Sequence, residues 1–183
     1  MRVFGIAGHS GMGKTTLLER ILPELRSRDL VVSLIKHSHK DLDIDRPGKD
    51  SYRLREAGCQ ELILMGRHRW ALMHELREDA EPSLAYLLSK LQACDLVLIE
   101  GFKQGDFPKL EVWRAEIGKS PLWPSLPGIV AIATDSTMTI SGKRVLALSD
   151  VSGIVDFIYQ HAAESDVILS TEARNPHESS LLA

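Results

Sequence analysis

The sequence predicts an α/β fold, a doubly wound and mostly parallel sheet with some antiparallel strands. Two stretches carry that prediction. Gly8-His9-Ser10-Gly11-Met12-Gly13-Lys14-Thr15 fits GxxxxGK[ST] at every fixed position and follows the apolar run Val3-Phe4-Gly5-Ile6-Ala7, giving strand, loop and helix in that order. Asp95-Leu96-Val97-Leu98-Ile99-Glu100-Gly101 is an almost unbroken apolar run, the pattern of a strand buried on both faces, and it delivers a carboxylate at its end. Open α/β sheets bind ligands at the carboxyl ends of their strands, where both the glycine loop and Glu100 fall. The predicted architecture is therefore of the P-loop NTPase type.

The loop is built for phosphate. Glycines 8, 11 and 13 carry no Cβ to keep backbone N–H groups from curling around anionic oxygens, and the helix that follows presents its positive end. Lys14 adds a mobile positive charge for the β and γ phosphates. Thr15 offers a hydroxyl to a Mg²⁺ ion bridging them. His9, Ser10, Met12 and Thr16 complete the set of residues expected to line the nucleotide phosphates.

The remaining elements follow in order. Leu17, Leu18, Ile21, Leu22 and Leu25 recur at helical spacing, and Leu30 to Ile35 is apolar enough for the next strand, closing a βαβ unit. Pro23 removes a backbone donor inside that helix, which is kept but expected to bend there. Residues 36–51 are polar and read as a long loop. Asp50 or Ser51 is expected to cap a short helix through Ala57, stopped by Gly58. A strand is predicted at 61–65, a turn at Gly66-Arg67-His68 and a partner strand at 69–75. Glu81-Pro82-Ser83 opens a helix with Leu84, Leu87, Leu88 and Leu91 on one face. Further strands are predicted at 110–114, 129–133 and 145–148, and a helix at 151–161. The proline-rich stretch 121–127 reads as a loop.

The chain of 183 residues suits one nucleotide-binding domain, 1–163, followed by a polar tail, 164–183, expected to be mobile despite Val167-Ile168-Leu169. A net charge of −3 and a pI near 6.2 lack the positive field that nucleic acid or an anionic membrane surface requires, so neither is an expected partner. Cys59 and Cys94 are far apart in sequence and show no metal-binding spacing. Together with the lack of any run of transmembrane length and an apolar start too short for a signal peptide, they predict a reduced, cytoplasmic setting.

Phosphoryl chemistry asks a protein for positioning, metal and positive charge. Thr15 and Glu100 are the expected metal pair, with Glu100 acting directly or through water. Asp41, Asp43, Asp45 and Asp50 compete for a further role as metal or water partner, and Asp45 is preferred because Pro47-Gly48 fixes a turn beside it. A solvated acidic loop explains the same spacing. His37 and His39 beside carboxylates admit a transition-metal reading, but no second cluster accompanies them. Of the lysines around this region, Lys36, Lys40, Lys49 and Lys103, the candidates for phosphate contact are Lys49 and Lys103. Lys14, Asp45 and Glu100 form the expected catalytic set. Asp135, at the end of a strand, is placed to accept the N1–H and N2–H donors of guanine. The NKxD signal of GTPases is absent, and on residues alone GTP and ATP stay open.

These residues resemble the MobB family of molybdopterin-guanine dinucleotide biosynthesis. The likeness rests on the loop Gly8 to Thr16; on Ile35-Lys36-His37-Ser38-His39 leading to Asp43-Ile44-Asp45-Arg46-Pro47-Gly48-Lys49-Asp50-Ser51; on Arg55-Glu56-Ala57-Gly58; and on Leu98-Ile99-Glu100-Gly101-Phe102-Lys103. The central segment is more specific than the phosphate loop. The resemblance implies GTP with Mg²⁺, slow GTPase activity, a homodimer, and work beside a MobA-like guanylyltransferase and molybdopterin-handling proteins. It also implies that the 45–51 loop belongs to the nucleotide or cofactor site. The function so expected is that of a GTP-binding adaptor. The alternative is a P-loop small-molecule kinase, which needs a second pocket and a lid carrying arginines. Arg67, Arg69 and Arg77 alternate with other residues in a way that suits a strand better.

Overall fold

The computed structural model describes residues 1–38, 42, 44–102, 105–137, 139 and 142–166. They form two compact units. One is Met1–His37 with the described residues from Ala85 onward, and the other is Ser38–Leu84.

The first unit is built on one sheet. Its strands are β1 (Arg2–Ala7), β2 (Val32–Lys36), β5 (Leu96–Glu100), β6 (Lys109–Val112), β7 (Ile129–Thr134), β8 (Arg144–Ala147) and the two-residue β9 (Ala163–Glu164). The order is β2-β5-β1-β6-β7-β8, with every neighbouring pair parallel. Strands inside the sheet are buried along almost their whole length, and the edge strands β2 and β8 are only partly buried, as the environments of centre and edge require. Helices α1 (Lys14–Ser27) and α4 (Val151–His161) pack on each other. Leu17, Leu18, Ile21 and Leu25 of α1 meet Ile154, Val155 and Ile158 of α4 in a core that also takes Phe4, Leu98 and Leu110.

Helix α1 runs through Pro23 to Ser27, as expected of a helix kept past the proline, with Ile21 and Leu25 fully buried on either side of it. Two details differ from expectation. Helix α3 (Leu84–Ser89) ends before Leu91. Ala163 and Glu164 pair antiparallel with Val3 and Arg2, and the Ser165 N–H donates to Met1 O at 2.8 Å, so the chain beyond α4 returns to the free flank of β1 below β6. Residues 167–183, the greater part of the expected tail, lie outside the described residues.

The second unit holds α2 (Asp50–Glu56) and the antiparallel hairpin of β3 (Glu61–Met65) and β4 (Trp70–His74). Gly66 N–H donates to Arg69 O at 2.9 Å and closes the predicted turn. The cap of α2 is Lys49, in extended conformation, with Asp50 already helical, and Gly58 at φ +110° ends the segment as expected. Arg55 ties this unit together. It donates Nε and Nη2 to the two oxygens of Asp45 at 3.1 and 2.8 Å, and Nη1 to Glu75 at 2.7 Å.

Candidate phosphate-binding site

Strand β1 lies inside the sheet between β5 and β6, so the loop leaving its carboxyl end opens at the ligand edge. Gly8 has φ +136°, and a Cβ built there would stand 2.5 Å from Val112 O at the end of β6. Only glycine allows this close approach of the two backbones. Gly11, at φ +88°, has nothing within 4 Å of such a Cβ, so its need is purely conformational. Gly13, at φ +90°, is the N-cap of α1 and carries no side chain to cap it. The amides of the first turn of a 14-residue helix therefore depend on an outside acceptor, and the helix dipole favours an anion there.

Lys14 Nζ folds back over this loop, donating to Gly8 O at 2.9 Å and His9 O at 3.1 Å. Its ammonium is thus held at the rim of the turn, where phosphate oxygens would sit. Met12 turns its side chain into the core, fully buried, while Ser10, Gly11, Thr15 and Thr16 are exposed. His9 Nε2 lies 3.1 Å from Ser120 O, joining the loop to the segment after β6. That segment is fastened from below by Glu111, a fully buried carboxylate that accepts from the N–H groups of Leu122 and Trp123 at 2.6 and 2.9 Å. Burial pushes the Glu111 carboxyl above its usual range, opposed by those two amides and by the charge of His9.

Glu100 ends β5 in register with Ile6. The strand's last residue is 6% exposed, and its Oε2 makes no hydrogen bond, although Lys36 Nζ lies 3.3 Å away. A buried carboxylate at the ligand edge and the hydroxyl of exposed Thr15 at the start of α1 are hard oxygen donors of the kind that Mg²⁺ takes with phosphates and water. Among the described residues no group of three or more His, Cys, Asp or Glu could hold a metal by itself. A phosphate-bridged Mg²⁺ needs only one or two protein oxygens, so Thr15 and Glu100 fit it. Gly101, at φ +92°, keeps the exit of β5 tight against β2: its Cβ would lie 2.3 Å from His37 O, and His37 N–H donates to Glu100 O at 2.8 Å.

Asp135 leaves β7 and engages Arg114, whose Nη1 lies 2.5 Å from Asp135 Oδ2. Arg114 in turn donates Nε to Met12 O at 3.2 Å. Asp45, Lys49 and Asp50 sit in the second unit. Both Asp45 oxygens accept from Arg55, which holds this carboxyl below its ordinary range, so any catalytic use of Asp45 has to share that fork. Lys103, His39, Lys40, Asp41 and Asp43 lie outside the described residues. Arg114, Glu111 and the Lys36–Glu100 pair are the parts that residue patterns did not single out. Glu111, a carboxylate set between the apolar Leu110 and Val112 inside a strand, was the available signal. Among the described residues no helix is long and apolar enough to cross a membrane.

Residues 3–135 match the family described as molybdopterin guanine dinucleotide synthesis protein B. The chain is 38% identical over 161 residues to a molybdopterin-guanine dinucleotide biosynthesis adapter protein of Escherichia coli, covering 86% of this chain and 91% of that one. It is 43% identical over 158 residues to the adapter protein of Haemophilus influenzae, covering 85% and 86% respectively. The crystal structure of Bacillus subtilis MobB superposes with a TM-score of 0.71 at 23% identity, over 88% of this chain and 98% of that one. Another crystal structure of a molybdopterin-guanine biosynthesis protein B gives 0.66 at 23% identity, over 86% and 98%.

Proposed function

This chain belongs to the molybdopterin guanine dinucleotide synthesis protein B family, and from that premise we propose that it is an adapter in molybdopterin-guanine dinucleotide biosynthesis that binds GTP with Mg²⁺ and hydrolyses it slowly. The observation that carries the nucleotide reading is the loop Gly8 to Thr16, with three positive-φ glycines, a helix N-terminus that no side chain caps, and Lys14 Nζ at its rim. Main-chain amides of Gly11 to Thr16 bind the phosphates, and Lys14 neutralises their charge. Thr15 and Glu100 hold the metal, which when bound spreads the charge of the terminal phosphates. Glu100 fits this role because its Oε2 is buried and makes no hydrogen bond. Hydrolysis is slow in this reading because Lys14, Thr15 and Glu100 supply charge and position but no dedicated general base. Guanine in the relatives' names favours GTP over ATP.

The adapter works in the cytoplasm as a homodimer beside a MobA-like guanylyltransferase and molybdopterin-handling proteins. The hairpin supports a protein-facing role: Ile63, Met65, Trp70 and Leu72 share one face and are all exposed, Met65 to 89%. An apolar two-stranded face of that kind is stable only when something covers it.

The test is GMP attachment to molybdopterin by the guanylyltransferase, assayed with and without this chain and Mg·GTP. Stimulation by the wild-type chain, lost in Lys14→Ala, is the expected result. An unchanged rate with wild-type protein present counts against the adapter reading.

A further inference from the structure

Arg114 leaves the carboxyl end of β6 and reaches across to the phosphate loop. Its Nε donates to Met12 O at 3.2 Å, and its own backbone N–H donates to Met12 Sδ at 3.3 Å. Met12 is fully buried, so its main chain is gripped from the core by its side chain and from the rim by this guanidinium. A Cβ built on Gly13 would stand 3.5 Å from Arg114 Nε, which places the guanidinium directly against the N-cap of α1. On its far side Arg114 Nη1 meets Asp135 Oδ2 at 2.5 Å, with Glu116 Oε1 at 3.8 Å.

A loop that turns its N–H groups toward an anion turns carbonyls the other way, and those carbonyls need donors. Arg114 supplies one at the middle of the loop. A guanidinium can do this while bound elsewhere because its donors form a fixed planar fork, which an ammonium lacks. Asp135 holds the other arm of that fork, and its Oδ2 is thereby already engaged.

The geometry points to Arg114 and Asp135 as a positioning pair for the phosphate loop: Asp135 holds the guanidinium, and the guanidinium holds Met12 and with it the Gly11-to-Gly13 turn. Asp135 then acts on the phosphates through Arg114 and does not read the base. The inference rests on the reading above, that this loop takes nucleotide phosphates.

The experiment is titration calorimetry of the full chain with Mg²⁺ and either GTP or xanthosine triphosphate, on wild type, Asp135→Asn, Arg114→Met and the double variant. Arg114→Met is expected to weaken GTP binding by about tenfold, the scale of one lost charge-assisted hydrogen bond, and Asp135→Asn by about threefold. Because the two act as one unit, the double variant should bind no more weakly than Arg114→Met alone. Asp135→Asn should gain no affinity for xanthosine triphosphate. A carboxylate that reads N1–H and N2–H of guanine behaves differently: its amide prefers the base whose C2 bears an oxygen. A gain for xanthosine triphosphate in Asp135→Asn therefore overturns the inference, as does unchanged GTP affinity in that variant. Asp135 is 40% exposed, so Asp135→Asn decides the matter even where Arg114→Met fails to fold. Wild-type protein that binds neither nucleotide overturns the phosphate-site reading itself, and this inference with it.

Discussion

Glu100 stands in register with Ile6 across the β5–β1 pair, two residues before Gly8 opens the phosphate loop. This pairing places a buried carboxylate at the carboxyl end of the sheet beside the strand from which the loop departs, and sheet register fixes it there. Glu100→Gln keeps the shape and removes the charge. Its expected effect is a loss of about tenfold or more in the Mg²⁺-dependent part of GTP affinity, with little change in affinity measured in chelator. Equal Mg²⁺ dependence in the variant and the wild type would remove Glu100 from the metal site.

Two glycines with similar backbone angles should respond differently to alanine. Gly11 has φ +88° and open space around its absent Cβ, so Gly11→Ala costs only the backbone strain, about 1 to 2 kcal/mol. Gly101 has φ +92° and faces His37 O at 2.3 Å, so Gly101→Ala must also push β2 from β5 and should cost about 3 to 5 kcal/mol. Urea unfolding of the two variants checks the order, and equal losses would contradict the packing described at Glu100.

Lys109 is 1% exposed, and its Nζ donates to Gly105 O, Phe107 O and Pro127 O, with no carboxylate among these partners. Burial lowers its pKa from 10.5 to about 8, partly offset by Asp106. Between those values the unfolded chain holds a proton that the folded chain has released, so stability rises with pH across that window. The unfolding free energy of wild type relative to Lys109→Met should increase from pH 8 to pH 10.5, by roughly 3 kcal/mol at most. A flat difference would mean that the buried amine keeps its proton throughout.

Asp45 behaves in the opposite sense. Its fork with Arg55 lowers the folded pKa from 3.8, so the stabilisation is present above the unfolded value and is lost as pH falls through the folded one. Acid unfolding of the Ser38–Leu84 unit, followed by hydrogen exchange, should begin at higher pH in Arg55→Lys, because an ammonium cannot bind both Asp45 oxygens and Glu75 together. An unchanged acid midpoint would show that the fork adds nothing to this unit.

Much of this was legible in the chain because it is written in short-range signals. The glycine loop, the apolar run ending at Glu100 and the turn at Gly66-Arg67-His68 each specify local geometry by residue type alone. What escaped depends on neighbours far apart in sequence. Arg114 and Asp135 meet because β6 and β7 are parallel and adjacent, and nothing local to either residue reports that pairing. Glu111 meets Leu122 and Trp123 through a loop of irregular backbone, and Lys36 meets Glu100 only once β2 is set beside β5. The helix expected to persist through Pro23 does so, with Ile21 and Leu25 buried on either side of it.

Titration calorimetry of Mg·GTP against wild type and Lys14→Ala probes the phosphate loop most directly. Lys14 Nζ donates to the loop carbonyls of Gly8 and His9 and is partly exposed, so its removal should leave the fold and its melting intact. Clear binding by wild type and a loss of about tenfold or more in the variant is the result expected. Equal affinity in the two proteins would contradict the assignment of this loop to the nucleotide.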